Sequence, residues 1–208
     1  TGGHLEQADG TAWMALFCQN MLEIAVELAV ANPAYINLTL KFVDHFLLIA
    51  SGMIRPSEEG GMWDEEDGFF YDVLLQPNGD HQKFRVRSLV GLIAMFAIDI
   101  LVDTAKEETK DFISNLDWFI RNRQELVQRC VYSEEVNGIR RHILSIVDSH
   151  QLGRLLERLW DPEEFLSPYG MRSLSKYHQK EPFYFGNHVV TYEPGETSSK
   201  IKGGNSNW

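Results

Sequence analysis

The chain has 208 residues with 30 acidic side chains against 19 Lys plus Arg, a formal net charge of −11. Hydrophobic residues make up 44% and aromatics 12%, which supplies a core and excludes disorder as the main reading. The acidic balance argues against nucleic-acid binding, and no uninterrupted apolar run is long enough to cross a bilayer. A soluble, cytoplasmic acidic domain with no nucleic-acid and no membrane partner is the expectation.

In chain order, Trp13, Phe17, Met21, Ile24 and Leu28 recur at helical spacing, which predicts a helix over 11–31 with this stripe facing the core. After the break at Asn32-Pro33, Tyr35, Leu38, Phe42, Phe46 and Ile49 predict a second helix, folded back as an antiparallel hairpin. Phe69–Leu75, Gln76-Pro77-Asn78-Gly79 and Lys83–Val86 read as a β-hairpin. A third helix follows on Leu89, Leu92, Ile93, Phe96 and Ile100. Phe112, Leu116, Phe119, Ile120 and Val127 give a fourth, and Leu152, Leu155, Leu156 and Leu159 a fifth, stopped by Asp161-Pro162. Beyond it the pattern dissolves into a loop of Gly, Pro, Ser and aromatic residues, a length that is often functional. Cys18 and Cys130 lie within helical apolar patterns and read as buried free thiols. The Asn37-Leu38-Thr39 sequon falls inside a helix, a poor place for a glycan.

The chain holds no phosphate loop, dinucleotide fingerprint, HExxH or GxSxG motif, and the acidic run Asp64–Gly68 does not fit an EF-hand. The histidines have no ligand spacing, so no metal and no cofactor are expected. What remains is carboxylates beside tryptophans and glycines. Asp9 directly precedes the first helix; the commoner role there is an N-cap. The rarer one is a general acid with Trp13 one turn on. Trp63-Asp64-Glu65-Glu66-Asp67-Gly68 joins an indole to acids, the parts of a carbohydrate site, although Glu65 and Glu66 read as solvated. Arg85 and Arg87 follow the hairpin, and a structural partnership with one of these acids is the better reading for Arg85. The stretch from Glu196 to Asn207 and Trp208 is rich in amide and aromatic groups suited to sugar hydroxyls.

Five segments carry a resemblance. Leu5-Glu6-Gln7-Ala8-Asp9-Gly10-Thr11-Ala12-Trp13-Met14, Trp63–Phe69, Arg87-Ser88-Leu89-Val90-Gly91, Leu166-Ser167-Pro168-Tyr169-Gly170 and Gly203-Gly204-Asn205-Ser206-Asn207-Trp208 resemble glycoside hydrolase family 63, in the branch of mannosylglycerate hydrolase-like proteins. The resemblance implies a mainly-α fold, an (α/α) toroid of six helical hairpins with a small β-hairpin insertion, and inverting hydrolysis of α-glycosidic bonds in a small oligosaccharide or glycoside. It also implies that Asp9 is the general acid and that Trp13, Trp63, Asp64, Arg87, Glu196, Asn207 and Trp208 wall the sugar pocket. An inverting enzyme needs a second carboxylate about 6.5–9.5 Å away. In the family that base lies beyond the Gly-Gly-Asn-Ser-Asn-Trp motif, so residues 1–208 read as one fragment of an incomplete toroid, cut at both ends. Alone they are expected to be catalytically silent, with Glu196 the one nearby substitute for the base. A non-catalytic carbohydrate-binding or scaffolding helical domain is the alternative, and a toroid lyase or epimerase would need a Tyr or His base that no motif recommends.

Overall fold

A computed structural model describes residues 2–102 and 110–194. In chain order these form β1 (His4–Glu6), α1 (Ala8–Ala31), α2 (Ile36–Ile54), β2 (Trp63–Asp64), β3 (Phe69–Phe70), β4 (Asp72–Leu75), β5 (His81–Phe84) and β6 (Ile98–Val102). Then follow α3 (Lys110–Asn122), α4 (Gln124–Val127), β7 (Val131–Val136), β8 (Ile139–Ser145) and α5 (Ser149–Trp160). The last elements are β9 (Leu166–Ser167), β10 (Gly170–Met171), β11 (Phe183–Phe185) and β12 (His188–Val190). Helix accounts for 48% and strand for 24%, with five small sheets among the described residues. The fold is therefore mixed α/β, and the expected mainly-α toroid is overturned.

Two differences explain that correction. The third helix forms only as a 3₁₀ helix over Leu89–Phe96 and gives way to strand β6. Its five residues, Ile-Asp-Ile-Leu-Val, favour a strand because β-branched side chains fit a pleated surface. The stretch after residue 130 then supplies β7 and β8, turned by Asn137 and Gly138 at φ of 54° and 76°. Positive φ at both central residues marks a type I′ turn, the one that Asn-Gly favours. The region beyond Asp161 is also not one long loop. It carries two short hairpins, β9–β10 and β11–β12, and a 3₁₀ turn over Lys176–Gln179.

The chain divides into two compact units. The first comprises 1–9, 56–93 and 149–208. Here β1, β4 and β5 form an antiparallel sheet, with the turn closed by Gly79 N–H donating to Gln76 O at 2.9 Å. The expected hairpin is thus present and gains β1 as a third strand. Its core holds Phe69, Phe70, Tyr71, Leu92 and Phe165, with Phe69 stacked on Phe165 at 5.9 Å. Gly91 lies against that core: a Cβ there would sit 2.2 Å from Phe69 Cε1 and 2.3 Å from Phe70 O.

The second unit comprises 10–55 and 94–148, including all of α1 beyond its first turn, α2 to α4, and a sheet in the order β6-β8-β7. Helix α1 ends because Pro33 pushes Asn32 out of the helical region, to φ −148° and ψ 108°, while Asn32 Oδ1 accepts the Ala34 N–H at 3.0 Å. Pro56 stops α2 in the same way through Arg55, at ψ 164°. The inner face of α1 is not the expected one. Ala12, Ala15, Cys18, Leu22, Ala25 and Ala29 are buried, and Gln19 Nε2 donates to Leu144 O at 3.0 Å. The stripe from Trp13 to Leu28 is exposed instead. This helix is apolar on most of its circumference, so the spacing of its large residues does not choose a side; small residues permit the closer packing. By length and composition alone, α1 and the Pro33–Ile54 helix are each long and apolar enough to cross a membrane.

Candidate functional site

The site begins at the mouth of α1, in the first unit. The β1–β4 register pairs Glu6 with Val73 and leaves Asp72 one residue past the last pair. The Ala8 N–H donates to Asp72 Oδ1 at 2.7 Å. Asp72, reaching from the neighbouring strand, therefore serves an amide of the first turn that has no partner within the helix. Asp9 lies inside that turn, one residue past the start of the helix. Burial pushes the Asp72 carboxyl up, the Ala8 N–H pulls it down, and the Asp9 charge raises it again. The result is two carboxyl groups close enough to interact at the positive end of a helix.

A second cluster surrounds Arg87. Its guanidinium donates to Asp67 Oδ1 (2.7 Å), to Glu164 Oε1 (2.9 Å) and to Tyr71 Oη (3.3 Å), and lies 3.9 Å over the Tyr177 ring. Its backbone N–H donates to His178 Nε2 at 2.8 Å, so the neutral imidazole carries its proton on Nδ1, facing Glu181 O at 2.9 Å. Burial pushes His178 down, consistent with that neutral form. Burial pulls Asp67 up, but hydrogen bonds from Tyr71 and Arg87 outweigh it and hold the carboxyl below its ordinary range. Tyr71 is pushed up, chiefly by burial. Glu164 also accepts from Arg158 and Ser175.

Helix α5 clamps this cluster from one side. Arg154 donates to the Glu65 and Glu66 carbonyls and Arg158 to that of Asp67. Gly68, at φ +60°, makes room: a Cβ there would lie 2.1 Å from Arg154 Nε. Arg154, Arg158, Asp161 and Glu164 line a depression of about 230 Å³.

The other expected site residues fall as follows. Trp63 is buried, packs edge-on to Phe70 at 5.0 Å, and has no hydrogen-bond partner at Nε1 among the described residues. Asp64 is buried and accepts from Arg85 at 2.9 Å and from the Asp67 N–H at 3.0 Å, with Lys83 at 3.5 Å. Arg85 thus takes the structural partnership its position suggested. Glu65 and Glu66 are exposed, as a solvated loop requires. Trp13 belongs to the second unit and is 42% exposed. Glu196, Asn207 and Trp208 lie outside the described residues. Asp9 lines neither of the two depressions that can be described.

No family model matches the chain. The chain is 42% identical over 226 aligned residues to an uncharacterized protein of Saccharomyces cerevisiae, YMR196W. The alignment takes in 100% of this chain and 21% of the yeast protein. The chain therefore spans about a fifth of the length of the curated relative it matches.

Reasoning from sequence passed over Glu164, Arg158 and Tyr177. Their signal was faint: each lies far from Arg87 in the chain, and only the fold brings their ionic and aromatic groups to one place. Arg172 is buried against the carbonyls of Pro162, Glu164 and Leu166, and it donates to Tyr192 Oη at 3.1 Å.

Proposed function

We propose that these residues are part of the catalytic region of a glycoside hydrolase that inverts α-glycosidic, glucoside-type bonds, with Asp9 as general acid. The resemblance carried by five motifs supports this reading. One structural observation favours it further: Asp72, not Asp9, meets the first amide of α1, and the two carboxyl groups interact. Burial and the neighbouring Asp9 charge raise the Asp72 carboxyl, so the group that meets the helix mouth beside Asp9 has an increased affinity for a proton. A general acid must deliver a proton to the departing oxygen, and that is the role proposed for Asp9. Asp72 then acts as a positioning residue, holding the helix mouth through the Ala8 N–H. The opposing base and the sugar-binding amides belong to segments outside the described residues.

The test uses the full polypeptide and two leaving groups. Asp9→Asn is expected to lower kcat/KM on alkyl α-glucosides by about 10²–10⁴-fold. The loss on a dinitrophenyl glucoside should be smaller, since that departing oxygen needs little protonation. Equal, small effects on both substrates would remove Asp9 from the chemistry. Proton NMR of the first-formed anomer reads the stereochemistry, and retention would contradict inversion.

A second reading, a non-catalytic carbohydrate-binding or scaffolding domain, is favoured by the saturation of Asp64 and Arg87 with protein partners. A full polypeptide that binds gluco-oligosaccharides in calorimetry but leaves every α-glucoside intact would select it.

A further inference from the structure

The face of α1 that its periodicity assigned to a core is open. Trp13, Met14, Phe17, Met21, Ile24 and Leu28 are 42–53% exposed along about 24 Å of helix. Single exposed apolar residues are ordinary, but a contiguous stripe of this length is not. It continues within the same unit onto the edge strand β6, where Ile98, Ile100 and Val102 are 41–52% exposed. Ile24, Leu28, Ile100 and Phe112 are among the walls of a groove of about 640 Å³ between these elements.

The rim of the groove is acidic. Glu23, Glu27 and Asp99 line it, and among the described residues neither Lys nor Arg does. Asp99 Oδ1 accepts the Ile100 N–H at 2.7 Å, whereas its Oδ2 is buried with no hydrogen-bond donor among the described residues. Burial raises the Asp99 carboxyl and the facing Glu23 raises it further. An apolar floor beside carboxylates with no Lys or Arg partner among the described residues is complementary to an amphipathic helix whose apolar stripe is flanked by cations.

We propose that this face docks such a helix, bearing Lys or Arg beside its apolar stripe and supplied by the same polypeptide from outside residues 1–208. The yeast relative continues for roughly four-fifths of its length beyond the matched region, which provides the chain for it. A tethered segment also binds at high effective concentration. A second copy fits poorly: a two-fold contact through this face would set one acidic rim against another, on a chain of net charge −11. A bilayer fits poorly as well, because the Glu23–Asp99 pair would enter hydrocarbon without a cation.

The test places the photo-reactive residue p-benzoylphenylalanine at Phe17 in one sample of the full polypeptide and at Ile24 in another. Tyr184, 71% exposed on β11, is the control position. Mass spectrometry should find cross-links within one polypeptide to a Lys- or Arg-bearing segment outside residues 1–208, at tenfold the control yield or more. Glu23→Lys with Glu27→Lys should cut that yield at least fivefold; Glu23→Gln with Glu27→Gln, which spares the fold a charge reversal, should cut it about twofold. Cross-links between two copies would overturn the proposal. So would flotation with phosphatidylcholine–phosphatidylserine vesicles, a yield equal to the control, or a yield that neither pair of substitutions changes.

Discussion

Replacing Arg87 with Leu separates a structural role from a sugar-binding one. Its guanidinium bonds Asp67 and Glu164, with side chains 19% and 9% exposed, and stacks on Tyr177. Breaking a buried ion pair by deleting one partner costs about 3–5 kcal/mol. Glu164 keeps Arg158 and Ser175, and Asp67 keeps Tyr71, so the lower end of that range, about 3 kcal/mol, is expected. The assay is urea unfolding followed by circular dichroism across a pH series. Asp67 is depressed in the folded state, so its contribution is present above the unfolded carboxyl value, near 3.8, and is lost as pH falls through the lower folded value. The gap between wild type and Arg87→Leu should therefore be full at neutral pH and narrow below 3.8. If Arg87→Leu unfolds within about 1 kcal/mol of wild type yet abolishes sugar binding, the structural assignment is wrong.

Four glycine and carboxylate changes follow from the same geometry. Gly91→Ala drives a methyl into Phe69 and the Phe70 carbonyl and should destabilise by about 1–3 kcal/mol in calorimetric melting. Gly52→Ala, in the last turn of α2 with nothing within 4 Å of the new Cβ, should stabilise by about 0.5 kcal/mol in the same melts. Asp72→Ala removes the acceptor from Ala8 and should cost about 1 kcal/mol. Asp72→Asn keeps an acceptor and drops the charge beside Asp9. Because Asp72 is raised in the folded state, its ionisation opposes folding as pH rises; the Asn variant should match or exceed wild type in urea titrations at neutral pH.

Much of the local order was legible. The hairpin at Pro77-Asn78-Gly79, the breaks at Asn32-Pro33 and Asp161-Pro162, and helices α3 and α5 follow from turn chemistry and spacing. The Asn137-Gly138 turn was equally legible and was passed over, and the β7–β8 pair went with it. Other features were hidden for physical reasons. The inward face of α1 depends on which side can be approached closely, which a helix apolar nearly all round does not declare. The short strands after Asp161 have two or three residues each, below the length at which a period can be read. At the candidate site, spacing brought forward Asp9, Asp64 and Arg85 but gave no hint of Asp72 as the acceptor of Ala8. That role depends on strand register, which joins residues 64 positions apart.

Both cysteines of the chain, Cys18 and Cys130, are buried and unbridged, and both lie in the second unit. Burial lifts the Cys130 thiol to about 12 and raises Cys18 as well, which leaves little thiolate at neutral pH. Their reaction with a disulfide reagent must wait for that half of the molecule to open, while the half that carries Asp9 and Arg87 contributes no signal. The wild-type chain thus carries its own clock for local unfolding, one that times the helical half without the addition of any label.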